Sequence, residues 1–383
     1  MKTEFDMRTI QRGARLRRTP FFEATQKAAA WGYTVYNHML FPIGFSHLED
    51  EYRKLLDGVT LWDVSVERQV EITGPDGFAF TNLLTPRDLT KCEVGQGKYV
   101  LITAEDGGII NDPVLLRLGE NHFWLALADS DVLLWAKGVA YRSGMDVTIE
   151  EPDVSPLQIQ GPRSKEVVEA LFGSKVLDLG YYYFLETELD GIPVIVTRTG
   201  WTGEVGYEVY LRDGSRGVDL WDRIMRAGAP YNIAPTGPSD IRRIEAGILN
   251  HGIDITLDTN PYEVGLGWMV NLKQKADFIG RAALEEIKAR GVTRSLVGVE
   301  IAGDPLDLNM TRWPVIDGSG TIGNVTSAVY SPRLEKNIGY AMVPLAKSEV
   351  GTRLTVRIPH EGDRQATVVP KPFIDPGKEI PKS

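Results

Sequence analysis

A single cysteine, Cys92, stands among 383 residues, which rules out an intrachain disulfide and any metal site built from thiolates. Histidine is nearly as scarce: His38, His47, His122, His251 and His360 are scattered, and none has the HxxxH-type spacing of a zinc site. No metal is therefore expected. The chain also has no GxGxxG after a strand, no P-loop, no GxSxG and no HExxH. It offers no nucleophile elbow and no built-in nucleotide chemistry. Basic residues are outnumbered, 42 against 52 acidic, for a formal net charge of −10. Nucleic acids and anionic membranes both demand basic patches, so neither is an expected partner. No apolar run is long enough to span a bilayer and no signal-peptide core follows Met1, which makes the cytoplasm the expected location. The arginines at the start (Arg8, Arg12, Arg15, Arg17, Arg18) would suit a transit peptide, but Glu4 and Asp6 argue against one.

What is present is a globular composition, 43% hydrophobic and 25% charged, in a chain long enough for two or three domains. Residues 1–20 read as an arm. Helical spacing predicts helices at Phe21–Lys27, Leu48–Leu56, Phe78–Leu84, Asp129–Tyr141, Gly217–Arg226, Asp240–Leu249 and Arg281–Ala289. Strand patterns cover Val66–Ile72, Tyr99–Thr103, Pro113–Leu118 and Phe123–Ala128, and Glu150–Pro156 has the composition of a linker. After residue 290 the chain becomes strand-rich and punctuated by Pro and Gly, which suggests a small β domain.

The stretch RTGWTGEVGYEVY, Arg198–Tyr210, carries the densest set of polar and aromatic candidates. Strand Ile192–Arg198 runs through a turn holding Gly200, Gly203 and Gly206 into a second run, Tyr207–Leu211. Those glycines would allow close backbone approach to a ligand. Side chains alternate along a strand, so Glu208 and Tyr210 share a face. A carboxylate beside aromatic rings suits a flat heterocycle with paired N–H donors, such as a pterin. An ordinary hairpin with its polar residues in water is the alternative. Asp112, Glu204, Tyr36, Trp124, Trp201 and Tyr207 complete the candidates, each of which taken singly reads more readily as packing or surface than as site.

Their order along the chain adds meaning. RTPF (Arg18–Phe21), LWDVS (Leu61–Ser65), GGIIND (Gly107–Asp112), LQIQGP (Leu157–Pro162), TGWTGEVGYE (Thr199–Glu208), RIEAG (Arg243–Gly247) and IGNVTSAVYSPRLEKNIGYAMV (Ile322–Val343) follow one another. This series resembles the T-protein (aminomethyltransferase) family of the glycine cleavage system, from about Arg18 to Pro372. Three departures stand out: Val66-Glu67 where a T-protein has HM, Asn111 where it has aspartate, and Ser239 where it has arginine. YNHML (Tyr36–Leu40), WDVSVERQVEI (Trp62–Ile72), TPRDL (Thr85–Leu89), NDPV (Asn111–Val114), EPDVSPLQIQGP (Glu151–Pro162) and NPYEVGLG (Asn260–Gly267) instead resemble the branch of that family that demethylates dimethylsulfoniopropionate with tetrahydrofolate.

The resemblance implies an α+β fold, a three-domain cloverleaf of the aminomethyltransferase type with antiparallel sheets and a C-terminal β-barrel around a central folate channel. Residues 1–65 with 150–285 would form a split folate-binding domain, 66–149 an inserted α+β domain, and 290–383 the barrel. It implies tetrahydrofolate as methyl acceptor. Asp112 would lie at the reactive end of the folate as the catalytic carboxylate, and Glu208 would bind the pterin N–H groups. Trp201 and Tyr207 would line the pterin slot. Tyr36, Tyr210 and Trp124 would form the methyl-donor pocket, while Glu204 matches a motif position but suits a turn surface equally well. With Ser239 in place of arginine, another Lys or Arg must hold the folate glutamate tail.

The implied activity is transfer of a methyl group from a small sulfonium donor to N5 of tetrahydrofolate. A neutral sulfide leaves readily, so positioning can carry most of the catalysis, and no covalent intermediate is needed. Three alternatives remain open: a folate-dependent O- or N-demethylase of the same fold, a glycine cleavage T-protein, and a folate-binding protein without turnover. The changes at Val66 and Asn111 count against the T-protein and its lipoyl carrier partner. A fused sarcosine-oxidising enzyme would need an N-terminal flavin domain, for which the chain has no room.

Overall fold

Two antiparallel sheets and a barrel organise the chain in a computed structural model that describes residues 13, 15–318 and 320–383. Residues 1–12 and 14, with Arg8 and Arg12, lie outside the described residues, and the transit-peptide expectation falls largely there. The end of the expected arm is tied down, Arg17 exchanging backbone bonds with His38 and Leu40 and Thr19 donating to Asp63 at 2.6 Å.

The first sheet has six strands in the order Phe184–Leu189, Ile192–Thr197, Gly206–Leu211, Ser155–Gln160, Thr60–Asp63 and Ala234–Pro235. Only the last pair is parallel. Strand alternation sorts its faces. Leu157, Ile159, Val194, Val196, Tyr207, Val209 and Leu211 pack against helices Ser164–Phe172 and Gly217–Gly228 in one apolar core. Gln158, Glu208 and Tyr210 belong to the opposite face, which is also covered: every residue of Gly206–Leu211 is buried.

After Asp63 the chain leaves this sheet, builds a second, and returns at Ser155. The second sheet runs Thr148–Glu150, Gln69–Thr73, His122–Ala126, Val114–Gly119, Gly97–Tyr99. The strand predicted for Val66–Ile72 starts only at Gln69, because Glu67 N–H bonds back to Val64 O at 2.9 Å and turns the chain. The strand predicted for Tyr99–Thr103 is likewise split: Gly97–Tyr99 joins the sheet, and Ile102–Thr103 pairs with Ile109–Asn111. The expected linker is shorter than its composition suggests, since Ser155 and Pro156 already pair with Leu211 and Tyr210. The helix expected over Asp240–Leu249 ends at Glu245, with Gly247 in the left-handed region at φ 73°.

Past residue 290 six strands close into a barrel: Arg294–Ile301, Lys336–Pro344, Gly320–Ser331, Trp313–Asp317, Arg353–Ile358 and Gly362–Val369. It docks on the Asp240–Glu245 helix through buried polar bonds. Tyr340 OH donates to Ile244 O at 2.9 Å, and Ser331 Oγ donates to Glu245 at 2.5 Å. Asp254 accepts from Arg243 at 2.6 Å and from Thr326 and Ser327 at 2.5 and 2.6 Å. A charge-assisted hub of this kind fixes orientation where apolar contact alone would slide.

Candidate functional site

Glu208 sits in the middle of the six-stranded sheet, 3% exposed. Gln158, its direct partner on the next strand, donates Nε2–H to Oε1 at 2.6 Å. Tyr210 OH donates to Oε2 at 3.0 Å, and the Thr199 and Thr197 hydroxyls also reach Oε2. Burial nevertheless pushes its carboxyl above the ordinary value, and these donors only partly offset that. Gln158 Oε1 is a buried acceptor with no partner, so the face presents an unmet demand for N–H groups.

Asp112 approaches from the second sheet's side, on the strand-to-strand link after Ile109–Asn111. Tyr99 OH donates to it at 2.8 Å. Burial raises its carboxyl to about 7, with the Asp254 charge adding to the shift. Its neighbour Asn111 has a different task, tying Ala128 and Ser130 into place from a fully buried position. The charges of Glu208 and Asp112 both act on Tyr182 and on Glu67. The Asp112 and Glu67 charges both act on Tyr36. Site elements from both sheets and from the Gly32–Gly44 hairpin therefore converge on one region. Among the described residues, none of the three carboxylates (Glu67, Asp112, Glu208) is bonded to a lysine or arginine. Burial pushes all three carboxyls above their ordinary values, and the Arg87 charge acts on Tyr182 alongside those of Glu208 and Asp112.

Tyr36 is carried by the hairpin Gly32–Tyr36/Met39–Gly44, whose tip is clamped by one side chain. Asn37 Nδ2 donates to Val66 O at 2.9 Å and to Ala128 O at 3.2 Å, while Asn37 Oδ1 accepts from Ser130 N at 3.0 Å.

Other expected site residues are placed differently. Tyr207 is fully buried in the helix-covered core, on the face opposite Glu208, so it lines no pterin slot there. Trp124 is 1% exposed and stands behind Tyr210 at 6.4 Å between ring centroids, with its indole N–H on Glu71 at 2.7 Å. It backs the site without facing into it. Trp201 is half-buried and lies under the Arg243 guanidinium at 5.8 Å. Glu204 is no turn-surface residue: it pairs with the fully buried Arg242 at 2.7 Å. The glycines of its turn make room for the protein's own side chains. A Cβ on Gly200 or Gly206 would meet the Gln160 amide within 2.2–2.4 Å. Ser239 caps the Asp240–Glu245 helix, accepting from Arg242 N at 3.3 Å.

Lys371 is the cation that composition did not single out. Its ammonium lies 5.4 Å from the Tyr340 ring centroid, has no hydrogen-bond or ion-pair partner among the described residues, and is pulled down to about 8 by burial. Glu67, Gln158, Thr199, Tyr99 and Tyr182 were not singled out as site residues, although Glu67, Gln158 and Thr199 lie inside the quoted motifs. A separate surface cavity of about 880 Å³, bordered by Glu51, Arg53, Lys54 and Tyr231, shares no residue with this region.

Comparison with known proteins agrees with this layout. Residues 21–274 match the family model described as the GCVT N-terminal domain, and residues 294–375 match the glycine cleavage T-protein C-terminal barrel domain. The chain is 38% identical over 362 residues to dimethylsulfoniopropionate demethylase DmdA of Ruegeria pomeroyi, covering 94% of this chain and 98% of that one. It is 33% identical over 371 residues to an aminomethyltransferase of Symbiobacterium thermophilum, covering 94% and 97%. The crystal structure of glycine cleavage system aminomethyltransferase T from Bartonella henselae superposes with a TM-score of 0.83 at 25% identity, over 94% of this chain and 98% of that one. With both parts of the family matched along nearly the whole chain, this protein belongs to the T-protein (GCVT) family of folate-dependent methyl and aminomethyl transferases.

Proposed function

We propose that this enzyme, acting in the cytoplasm, transfers a methyl group from a small sulfonium compound like dimethylsulfoniopropionate to N5 of tetrahydrofolate, giving 5-methyltetrahydrofolate. The observation that carries the reading is a cluster of three carboxyls, Glu67, Asp112 and Glu208, none of them bonded to a lysine or arginine among the described residues, in a chain 38% identical to a demethylase of that name. Where these carboxyls ionise they repel an anionic aryl ether and attract a sulfonium centre.

Glu208 and the orphan Gln158 Oε1 suit the paired N–H donors of a pterin edge, with Trp201 flanking the slot. Lys371 is our candidate for the folate tail carboxylates. In the transfer the S–CH3 bond breaks with its electron pair staying on sulfur, which leaves as a neutral sulfide. The new bond forms from the N5 lone pair, and the proton N5 then sheds passes to the Asp112 carboxylate or through it to water. Asp112, held near 7, is matched to that task. Tyr36 supplies a ring face for the donor, while Tyr210, fully buried, acts through its hydroxyl on Glu208. Positioning of donor against acceptor provides roughly 7–11 kcal/mol in well-oriented systems.

A second reading, aminomethyl transfer, draws support from relatives such as the aminomethyltransferase of Bacillus mycoides, 32% identical over 365 residues. The deciding experiment incubates the protein with tetrahydrofolate and, in parallel, dimethylsulfoniopropionate, a methoxybenzoate and an aminomethyl-lipoyl carrier. Formation of 5-methyltetrahydrofolate from the sulfonium alone is expected. Faster methyl transfer from the aryl ether, or methylene transfer from the lipoyl carrier, would overturn the proposal.

A further inference from the structure

Successive arginines on the Asp240–Glu245 helix divide their work between the turn of residues 199–204 and the barrel. Arg242 holds the far side of the turn, donating Nε–H to Glu204 at 2.7 Å and Nη2–H to Gly203 O at 3.0 Å. Gln160 holds the near side: its Nε2 donates to Thr199 O at 3.2 Å, and its Oε1 accepts from the Thr202 hydroxyl at 2.7 Å. The Thr199 hydroxyl in turn reaches Glu208. The backbone around Trp201 is therefore fixed on both sides, two residues from a group that touches Glu208.

The indole itself is held by far less. Trp201 is half-buried, yet it belongs to none of the apolar cores. Among the described residues its N–H makes no hydrogen bond and no aromatic ring packs against it. What stands against the ring is the Arg243 guanidinium, 5.8 Å from its centroid. An exposed arginine could swing away. Arg243 is 1% exposed and is bonded in three directions: Nε to Asp240 at 2.7 Å, Nη1 to Asp254 at 2.6 Å and Nη2 to Ser327 Oγ at 2.9 Å. Those bonds fix the plane of the guanidinium as well as its position. A planar fork can meet three partners and still lay its face on a ring, which a lysine ammonium cannot do. Ser327 passes its own hydroxyl proton to Asp254 at 2.6 Å, so the barrel closes the arrangement.

We propose that Arg243 is the positioning residue for Trp201, locked by Asp254 and Ser327, so that the seating of the barrel on the Asp240–Glu245 helix sets the pose of the tryptophan beside the folate slot. This rests on the reading of Trp201 as a slot residue. A ring with a fixed tilt lets a flat ligand stack on it without first having to be ordered, which preserves binding free energy. Were the barrel to shift, the guanidinium would leave the indole while the turn's own bonds stayed in place, because those run to Gln160 and Arg242 and none runs to the barrel. The loss would show as a loosened ring on an intact turn.

The test asks whether Arg243 acts on folate through Trp201. In calorimetry on the full chain, Arg243→Lys should weaken tetrahydrofolate binding by about threefold to thirtyfold, the range of a lost contact between a cation and a ring. In a Trp201→Leu background the same change should cost less than about twofold, since the ring it positions is gone. Fluorine NMR of the ligand-free chain labelled with 5-fluorotryptophan reads the pose directly. Of the eight tryptophans, Trp201 is the one whose resonance disappears in Trp201→Phe, and Arg243→Lys should shift or broaden that resonance. Ser327→Ala keeps every charge and removes one bond from the fork. Should Arg243→Lys not fold, it carries the same two predictions, with a loss of about twofold to fivefold in affinity. Equal losses with and without Trp201, or a resonance that stays put, overturn the proposal and leave Arg243 a docking residue only. Trp201→Leu with unchanged tetrahydrofolate affinity overturns the slot reading of Trp201 instead, and the resonance then judges the link to Arg243 alone.

Discussion

Gln158 and Glu208 face each other across two paired strands, the amide donating to the carboxylate at 2.6 Å and leaving its own oxygen without a partner. The two side chains together offer acceptors in a row, which a pterin edge can satisfy. Glu208→Gln should weaken tetrahydrofolate binding by about tenfold to more than a hundredfold, since a charge-assisted bond contributes about 1.5–3 kcal/mol. Calorimetry on the two proteins checks this, and equal affinities would remove Glu208 from the folate site.

Asp112 should act on the chemical step. With its carboxyl near 7, kcat should rise with pH and level off above about 7, as the carboxylate that accepts the N5 proton forms. Asp112→Asn should lower kcat about 10²-fold, abolish that limb and change folate affinity little. Stability should run the opposite way. Between the unfolded value and about 7, the folded chain keeps a proton on Asp112 that the unfolded chain has lost. Stability of the ligand-free protein therefore falls as pH rises through that window. Thermal melts across it should show a smaller fall in Asp112→Asn.

The donor pocket should respond to Tyr36 and Tyr210 in different ways. Tyr36→Ala removes a ring face, so KM for a sulfonium should rise by about threefold to thirtyfold, while Tyr36→Phe costs little. Tyr210→Phe removes a donor from Glu208 and should weaken folate binding as well. Steady-state assays varying each substrate in turn separate the two.

Glu204→Gln should destabilise without touching chemistry. It leaves Arg242, fully buried, without its 2.7 Å partner, and breaking a buried pair costs about 3–5 kcal/mol. Denaturant unfolding should show that loss, with the specific activity of the folded fraction unchanged.

Lys371→Met should lower affinity for folate carrying its glutamate tail and spare a tail-less pterin. Because the ammonium is held near 8, affinity of the wild-type protein for the tailed form should decline above about pH 8. Equal losses for the two ligands would place the tail elsewhere.

Much of the fold could be read directly from local pattern. Period-two alternation put Glu208 and Tyr210 on one face, and the strand-rich end became the barrel. The same alternation, applied one residue further, would have put Tyr207 in the core. The chain crossing at Glu67 was illegible for a physical reason. Val66–Ile72 alternates like a strand, and only contacts with Asn37, 29 residues earlier, and Arg68 with Glu151, 83 residues apart, mark the crossing. Ser155-Pro156 looked like linker because proline seldom enters a sheet interior. Here Pro156 pairs with Tyr210 on one side, beyond the end of the Thr60–Asp63 strand.

The strand Gly206–Leu211 pairs on both sides, with Ser155–Gln160 and with Ile192–Thr197. Sliding it by one position would exchange Glu208 for Tyr207, driving a carboxylate into the helix-covered core and setting a phenol opposite Gln158. The misfolded form would thus be heavily penalised and chemically inert at once. A single inserted residue at this point would erase stability and recognition together, so the ladder that assembles the sheet also proofreads the site.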